Sequence, residues 1–284
     1  RQLAERIKEV ASAQLDEMAR VGPPTDLVQS FSFPVPTMMI CELLGVPYSE
    51  RDQFQQNASL LTSNTGEGDQ DASVRAFTEL TEYLSELVAR KRANPADDLL
   101  SGLTTSDLTD QELTMIGGLL LGAGLDTTAT MISLGTWALL RNPDQLAALR
   151  ADPGKTDTAI EELLRYLAIV PFTMRAALED VEVNGNLIRK GETVALALNQ
   201  ANRDPKYYPN PDTLDIGRDA ATQVAFSHGI HQCIGQQLAR VELRIAIPAL
   251  VNRFPNLRLA VPDDEVAVRV GAAVAGVHSL PVTW

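Results

Sequence analysis

The chain has 284 residues, of which 45% are hydrophobic and 21% charged, so it can bury a sizeable core and is neither disordered nor collagen-like. Its 24 Lys and Arg against 37 Asp and Glu give a formal net charge of −13, which argues against nucleic acid as a partner because phosphates are bound by basic surfaces. Two cysteines, Cys41 and Cys233, are too few for a disulfide-stapled secreted domain. We therefore expect a reducing, cytoplasmic location.

Apolar residues recur at helical spacing through the first 167 positions. This spacing predicts helices over residues 1–21, 49–61, 72–93, 144–150 and 156–167, with a polar loop over residues 63–71. Thr109 followed by Glu112 is typical of a capping box, so the longest helix is predicted to begin there and to continue to Arg141.

Strand patterns occur only in the last third of the chain. Residues 181–188 alternate around the dipeptide Asn-Gly, which predicts a β-hairpin, and residues 193–198 predict a further strand. Residues 201–223 have no period, residues 237–254 are helical again, and residues 266–284 resemble short strands. Because strands and helices do not alternate, a dinucleotide-binding sheet is disfavoured.

The long central segment could be mistaken for a membrane span. Residues 115–140 carry a single charge, Asp126, and are long enough to cross a bilayer. Five glycines, five hydroxyl side chains and the preceding capping box favour a buried central helix instead. No membrane is expected as a partner.

A cysteine stands just before a predicted helix, in the run Phe-Ser-His-Gly-Ile-His-Gln-Cys-Ile-Gly of residues 226–235. A thiolate is favoured at a helix N-terminus, where free backbone N–H groups and the helix dipole attract negative charge. Three interpretations remain open from these residues alone. Cys233 is a structural cysteine, a zinc ligand with His228 and His231, or an iron ligand.

The same run carries a family resemblance. Phe226, Gly229, Cys233 and Gly235 match the pattern Phe-x-x-Gly-x-x-x-Cys-x-Gly, and the chain resembles a cytochrome P-450 of the soluble bacterial, actinomycete-like kind. Two more motifs of that family precede it in the expected order. Residues 162–165 match the Glu-x-x-Arg of its K helix, and residues 123–128, Ala-Gly-Leu-Asp-Thr-Thr, match the oxygen-binding motif of its long I helix.

The resemblance implies a mainly α, multi-helical fold with small β-sheets near the C-terminus. Residues 1–284 would form a single haem-binding domain that lacks the N-terminal part of the family domain. The implied activity is that of a haem-thiolate monooxygenase with haem b (iron protoporphyrin IX), inserting one oxygen atom from dioxygen into a small apolar organic substrate of secondary metabolism. Electrons would come indirectly from NAD(P)H through a ferredoxin reductase and a ferredoxin. The alternative is a haem-free, truncated or auxiliary protein without catalysis.

Carried over residue by residue, the resemblance makes Cys233 the proximal thiolate ligand of haem iron. His231 and Arg175 match positions that pair with the haem propionates. The other implied cofactor contacts are Phe226, Gly229, Gly235, Ala123 and Gly124. Ser227 departs from many relatives, which have glycine at this position.

The resemblance assigns different roles to two groups of polar residues. Glu162 and Arg165 would form a buried ion pair completed by Arg218, which supports the cysteine without taking part in the chemistry. Asp126 and Thr127 would form a proton relay for dioxygen activation, side by side in an apolar wall.

Further expectations concern the long helix and the surfaces around it. Its glycines and the Thr127 hydroxyl, which competes for the carbonyl at i−4, are expected to widen the helix locally into a groove. By analogy a ferredoxin would dock near Arg240 and Arg244. Substrate contacts are expected from Ile169, Val170, Phe172 and Val274.

Overall fold

The computed structural model describes residues 2–63 and 70–284, so most of the loop predicted over residues 63–71 lies outside the described residues. Ten α-helices occur in the described part of the chain: α1 (Gln2–Val21), α2 (Pro34–Leu44), α3 (Arg51–Ser63), α4 (Gln70–Ala93), α5 (Leu99–Leu103), α6 (Asp110–Arg141), α7 (Pro143–Ala151), α8 (Thr156–Leu167), α9 (Leu198–Ala201) and α10 (Gln236–Arg253). The mainly α fold predicted from the sequence is confirmed.

Local chemistry fixes the ends of the long helix α6. The Thr109 side chain accepts a hydrogen bond from the Glu112 backbone N–H at 3.2 Å, and the Glu112 carboxylate accepts one from the Thr109 N–H at 2.8 Å. This confirms the predicted capping box. At the other end Pro143 cannot continue the hydrogen-bond ladder of α6, and it occupies the first turn of α7 instead.

Helix α6 is the centre of the fold and belongs to two hydrophobic cores. Its first half, with Leu121 and Leu125, packs into a core shared with α2 and α4. Its second half, with Ile132 and Leu139, packs into a larger core shared with α1, α8 and α10. The predicted relay residues therefore lie where α6 passes from one core to the other.

Among the helices of the described residues, α6 alone has a length and composition that would allow it to cross a membrane. A core helix passes the same test, and α6 contacts α2, α4, α8 and α10 on its way through the protein. The expectation of a buried central helix is confirmed by these contacts.

Seven short strands form three small antiparallel sheets in the described part: β1 (Thr25–Asp26), β2 (Thr173–Ala176), β3 (Val181–Val183), β4 (Asn186–Ile188), β5 (Thr193–Leu196), β6 (Arg258–Leu259) and β7 (Pro281–Thr283). Strands β3 and β4 form the predicted hairpin, with Val181 opposite Ile188. The sheet order β1-β7-β6 brings the start of the chain to its end.

Two strand predictions need correction. The strand expected over residues 193–198 ends at Leu196, because Leu198 turns inward and begins the short helix α9. The tail was expected to contain several strands, but within residues 266–284 only β7 and one isolated bridge, between Val268 and Val277, are paired. Around this bridge the tail bonds to itself, as where the Arg269 N–H donates to the Gly276 carbonyl at 2.8 Å, and elsewhere it bonds to another segment, as where the Ala275 N–H donates to the Ile169 carbonyl at 2.8 Å.

Candidate active site

The cysteine loop (residues 226–235) leads into the N-terminus of α10. A hydrogen bond within the loop closes its turn, since the Cys233 N–H donates to the Phe226 carbonyl at 3.0 Å. Gly229 has φ +84°, a left-handed conformation that glycine adopts without strain. Ser227 has φ +60°, so the position where relatives often have glycine carries backbone strain here.

The Cys233 thiol is exposed and lies on the wall of a cavity of about 230 Å³. Helix α6 provides another wall through Ala123 and Thr127. Ile169 and Val170, which follow α8, also line the cavity. The fold thus places a sulfur nucleophile, a hydroxyl group and apolar side chains around one space.

The predicted acid and alcohol of α6 point to different places. The Thr127 hydroxyl lines the cavity and donates to the Ala123 carbonyl at 2.7 Å. Asp126 does not line the cavity, and its carboxylate accepts a hydrogen bond from the Arg269 guanidinium at 2.7 Å. The expectation that both side chains share one apolar wall is wrong, because adjacent residues of a helix point about 100° apart.

The predicted widening of α6 is also absent, since the helix is regular from Asp110 to Arg141. Open space nevertheless occurs at Gly122, where an added Cβ would meet no atom within 4 Å. Gly124 has a packing role, while the cofactor contact expected of it stays a prediction. A Cβ there would lie 2.8 Å from Cδ1 of Ile40, so this glycine allows α2 to approach α6 closely.

The predicted structural ion pair is present and deeply buried. Arg165 donates two hydrogen bonds to the Glu162 carboxylate, at 2.7 and 2.9 Å, and both side chains are 0% exposed. Arg218 joins them with a contact of 3.2 Å to Glu162. The remaining Arg165 donors reach backbone carbonyls of Asn202 and Pro211. This cluster holds the irregular segment of residues 202–223, called the meander, against α8.

The zinc interpretation fails on geometry. Among residues 2–63 and 70–284 no three His, Cys, Asp or Glu side chains come together as metal ligands, so His228 and His231 do not assemble with Cys233. Cys41 is fully buried, and burial raises the pKa of its thiol to about 12. Of the two cysteines, only Cys233 offers an accessible sulfur.

The other predicted contacts divide into two groups. His231 lines the cavity, and Arg175 lies beside the cysteine loop with a guanidinium nitrogen 3.5 Å from the Ser227 hydroxyl. Phe172 and Val274 do not line the cavity, contrary to expectation. Phe172 is 51% exposed, because it falls on the outer side of the turn that enters β2, and Val274 packs against the larger core.

Sequence reasoning missed several residues of the site. Arg269, the partner of Asp126, lies 143 positions further along the chain, and no local pattern connects the two. Met131 and Leu164 line the cavity as well. Helical spacing could have found Met131, because it follows Thr127 by four residues and therefore shares its face of α6.

The residues around the cavity fit a haem group. A single accessible sulfur, one thiolate donor without competing ligands, suits iron bound to a porphyrin. Ile230 and Ile234, in the same loop as Cys233, are 96% and 87% exposed, so the loop presents apolar surface that suits a flat, largely apolar macrocycle. Ala123, with its small side chain, leaves room on the wall that α6 provides.

Comparisons with known proteins agree with this geometry. The family model described as cytochrome P-450 matches residues 155–265. A Streptomyces protein, cytochrome P-450 105C1, is 48% identical over 100% of this chain and 75% of its own length. Pentalenic acid synthase of Streptomyces avermitilis is 46% identical over 99% of this chain and 71% of its own length.

A solved structure, that of CYP105P1 in complex with filipin I, superposes with a TM-score of 0.92 at 44% sequence identity, covering 100% of this chain and 72% of the other. The chain therefore spans about three quarters of the length of these relatives. With the cysteine motif, the Glu-x-x-Arg pair and the central helix all in place, this chain belongs to the cytochrome P-450 family of monooxygenases.

Proposed function

We propose that this chain is a haem-thiolate monooxygenase in which Cys233 ligates the iron of haem b. The observation that carries the proposal is the shared cavity, which has the exposed Cys233 thiol on one wall and the Thr127 hydroxyl on another. When bound, haem supplies the activation of dioxygen, and its thiolate ligand favours cleavage of the O–O bond. In the overall reaction the substrate would gain one oxygen atom, and the other would be reduced to water by two external electrons and two protons.

The chain itself orients the ligand and shapes the space. The hydrogen bond from the Cys233 N–H to Phe226 fixes the loop, so that the sulfur faces the cavity. Arg175 lies beside the loop and His231 within it, and their guanidinium and imidazole groups suit the propionate carboxylates. The apolar side chains Ile169 and Val170 exclude water from the side where the substrate would bind.

Thr127 is the residue best placed to deliver a proton inside the cavity. Its hydroxyl is held by the Ala123 carbonyl and becomes a donor toward the cavity when that hydrogen bond is exchanged. Asp126, now paired with Arg269, would take up a proton from solvent when that ion pair opens and pass it toward Thr127. We thus assign the two residues successive positions on one proton path, rather than a joint position in the wall.

Electrons would come from NAD(P)H through a ferredoxin reductase and a ferredoxin in the bacterial cytoplasm. The docking expected near Arg240 and Arg244 has to account for their internal partners. Arg240 binds Glu161 at 2.7 Å, and Arg244 binds Asp157 at 2.9 Å. Acidic groups of a ferredoxin would therefore compete with carboxylates of this chain for these guanidinium groups.

The substrate class follows from the cavity and the relatives. The lining is dominated by aliphatic side chains, which favours a small apolar organic molecule. Relatives are named for pentalenic acid synthesis, and one structure contains filipin I. We propose oxidation of a secondary metabolite of comparable apolar character.

The test is the absorption spectrum of the purified protein after reduction and exposure to carbon monoxide, together with iron analysis. We expect a red-shifted Soret band of the thiolate type, which Cys233→Ser abolishes and Cys41→Ser retains, because Cys41 is buried away from the cavity. Absence of the band from protein reconstituted with haem would overturn the assignment.

A further inference from the structure

Two adjacent carboxylates in the middle of α8 face different parts of the protein. Glu162 is 0% exposed and binds Arg165 and Arg218, as described above. Glu161 has a 15% exposed side chain and faces α10. The Glu-x-x-Arg motif accounts for Glu162 and gives Glu161 no role.

One connection from Glu161 reaches the residue that precedes the cysteine loop. The Gln223 side-chain amide donates to the Glu161 carboxylate at 3.1 Å. The oxygen of the same amide accepts a hydrogen bond from the Ala225 N–H at 2.6 Å. Because Gln223 is buried, this path ties the entry of the cysteine loop to α8 through fully formed hydrogen bonds.

A second connection reaches the loop itself. Arg240 donates to both oxygens of Glu161, with distances of 2.7 and 3.1 Å, a two-pronged contact that fixes the plane of the guanidinium. That guanidinium lies over the Phe226 ring, 4.6 Å from the ring centroid. Phe226 in turn accepts the backbone hydrogen bond of Cys233.

We propose that Glu161 is a positioning residue for the thiolate ligand, which holds Ala225 through Gln223 and Phe226 through Arg240. Glu161 also determines the net charge next to the cysteine loop. Its carboxylate offsets the positive charge of Arg240, and one of its oxygens lies 3.6 Å from Arg244. The inference rests on the proposed function, because it concerns the ligand of haem.

The negative charge of Glu161 and the hydrogen bonds that it accepts have separable consequences. Without the carboxylate, the Arg240 guanidinium keeps its charge next to the Phe226 ring but loses its compensation. An uncompensated positive charge near a thiolate-bound iron stabilises the reduced, more negative state, so the reduction potential rises. Loss of the two connections also loosens the loop, which exposes its backbone N–H groups to solvent exchange.

The experiment compares Glu161→Gln, Glu161→Asp and the parent chain, with Asp157→Asn as the matched control. Asp157 binds Arg244 from the same side of α10, but it is 75% exposed and has no connection to Gln223 or Phe226. Two quantities are measured: the reduction potential of the haem-loaded protein, and amide hydrogen exchange at Ala225 and Cys233 in the chain with and without haem.

For Glu161→Gln we expect a positive shift of the potential and about tenfold faster exchange at both amides, since a hydrogen bond to a charged group contributes about 1.5 kcal/mol. Glu161→Asp restores the potential but not the protection, because the charge returns on a shorter side chain. Asp157→Asn changes neither quantity appreciably.

Unchanged exchange and potential in Glu161→Gln would overturn the proposal, as would an equal response of Asp157→Asn. The two proposals fail in different ways. If the parent gives no thiolate band, the haem assignment fails, while exchange in the haem-free chain still decides whether Glu161 holds the loop. A variant that does not retain haem is judged by the same exchange measurement.

Discussion

The cluster around Glu162 and the cysteine loop are neighbours with opposite designs. In the cluster, Glu162 and Arg165 are 0% exposed, and three polar groups bind the carboxylate: Arg165, Arg218 and the Asp215 N–H. In the loop, Cys233 is exposed and Ser227 is strained. The charges that hold the fold together are buried and fully hydrogen-bonded, whereas the cysteine that we propose as the haem ligand is accessible.

Support for the open region therefore comes from the closed one. The meander is attached to α8 by Glu162 and Arg165, and the Asn202 side chain accepts a hydrogen bond from the Val224 N–H at 2.8 Å, two residues before the loop. The cluster thus restrains the residues that lead into the cysteine loop, without itself contacting the Cys233 sulfur.

Of the substitutions that test this contrast, Glu162→Gln is expected to lower the free energy of unfolding the most. It leaves the Arg165 charge buried without its partner, which costs about 3–5 kcal/mol of unfolding free energy. The measurement is urea-induced unfolding. The matched control is Asp212→Asn, which removes the partner of Arg203 in an exposed ion pair and is expected to cost under about 1 kcal/mol. Equal losses in the two variants would contradict the distinction.

Glu242 sharpens the contrast, because it is a buried carboxyl whose Oε2 has no hydrogen-bond partner. Burial raises its pKa from 4.5 to about 8. The folded state then holds a proton that the unfolded state has released, so stability is fully present below about pH 4.5 and is lost as the pH rises toward 8.

Glu242→Gln removes this titration. Relative to the variant, the parent should lose about 1.4 kcal/mol of unfolding free energy for each pH unit between pH 4.5 and 8. Chemical unfolding at several pH values measures the difference between their slopes. Parallel pH profiles would show that Glu242 is already ionised in the folded protein.

Ser227→Gly is the smallest of the three effects and acts on the loop. Glycine relieves a left-handed backbone at φ +60°, so we expect about 1 kcal/mol of added stability. Asn184→Gly is the control, since Asn184 has φ +50° in the hairpin turn but asparagine tolerates this conformation better. Thermal unfolding compares the two. A smaller gain at Ser227 than at Asn184 would mean that its contact with Arg175 outweighs the strain.

The sequence predicted much of the fold because its strongest signals are local. The capping box of α6, the Asn-Gly hairpin and the periodicity of α1 each depend on residues within a few positions of one another. Predictions failed where distant segments decide the outcome. Residues 193–198 stop pairing when Leu198 turns into the interior, and part of the tail bonds to the distant Ile169 instead of forming a further strand.

The candidate site shows the same division. Cys233, Thr127 and the Glu162 cluster were identified from motifs, since chemistry restricts the residue types at those positions. At Gly124 the motif predicts a cofactor contact and gives no sign that the small residue also allows the approach of Ile40. A motif shows which residue type is required at a position, but it does not show which side chain packs against that residue.

By itself, the sequence determined the helical fold class, the ends of the long helix and which cysteine is the candidate ligand, because periodicity, capping and motif spacing are properties of the chain alone. Only the tertiary structure decided that Arg269 holds Asp126 away from the cavity and that Glu161 reaches the loop through Arg240 and Gln223. Such contacts join residues 62 to 143 positions apart, and they exist only once the helices have packed.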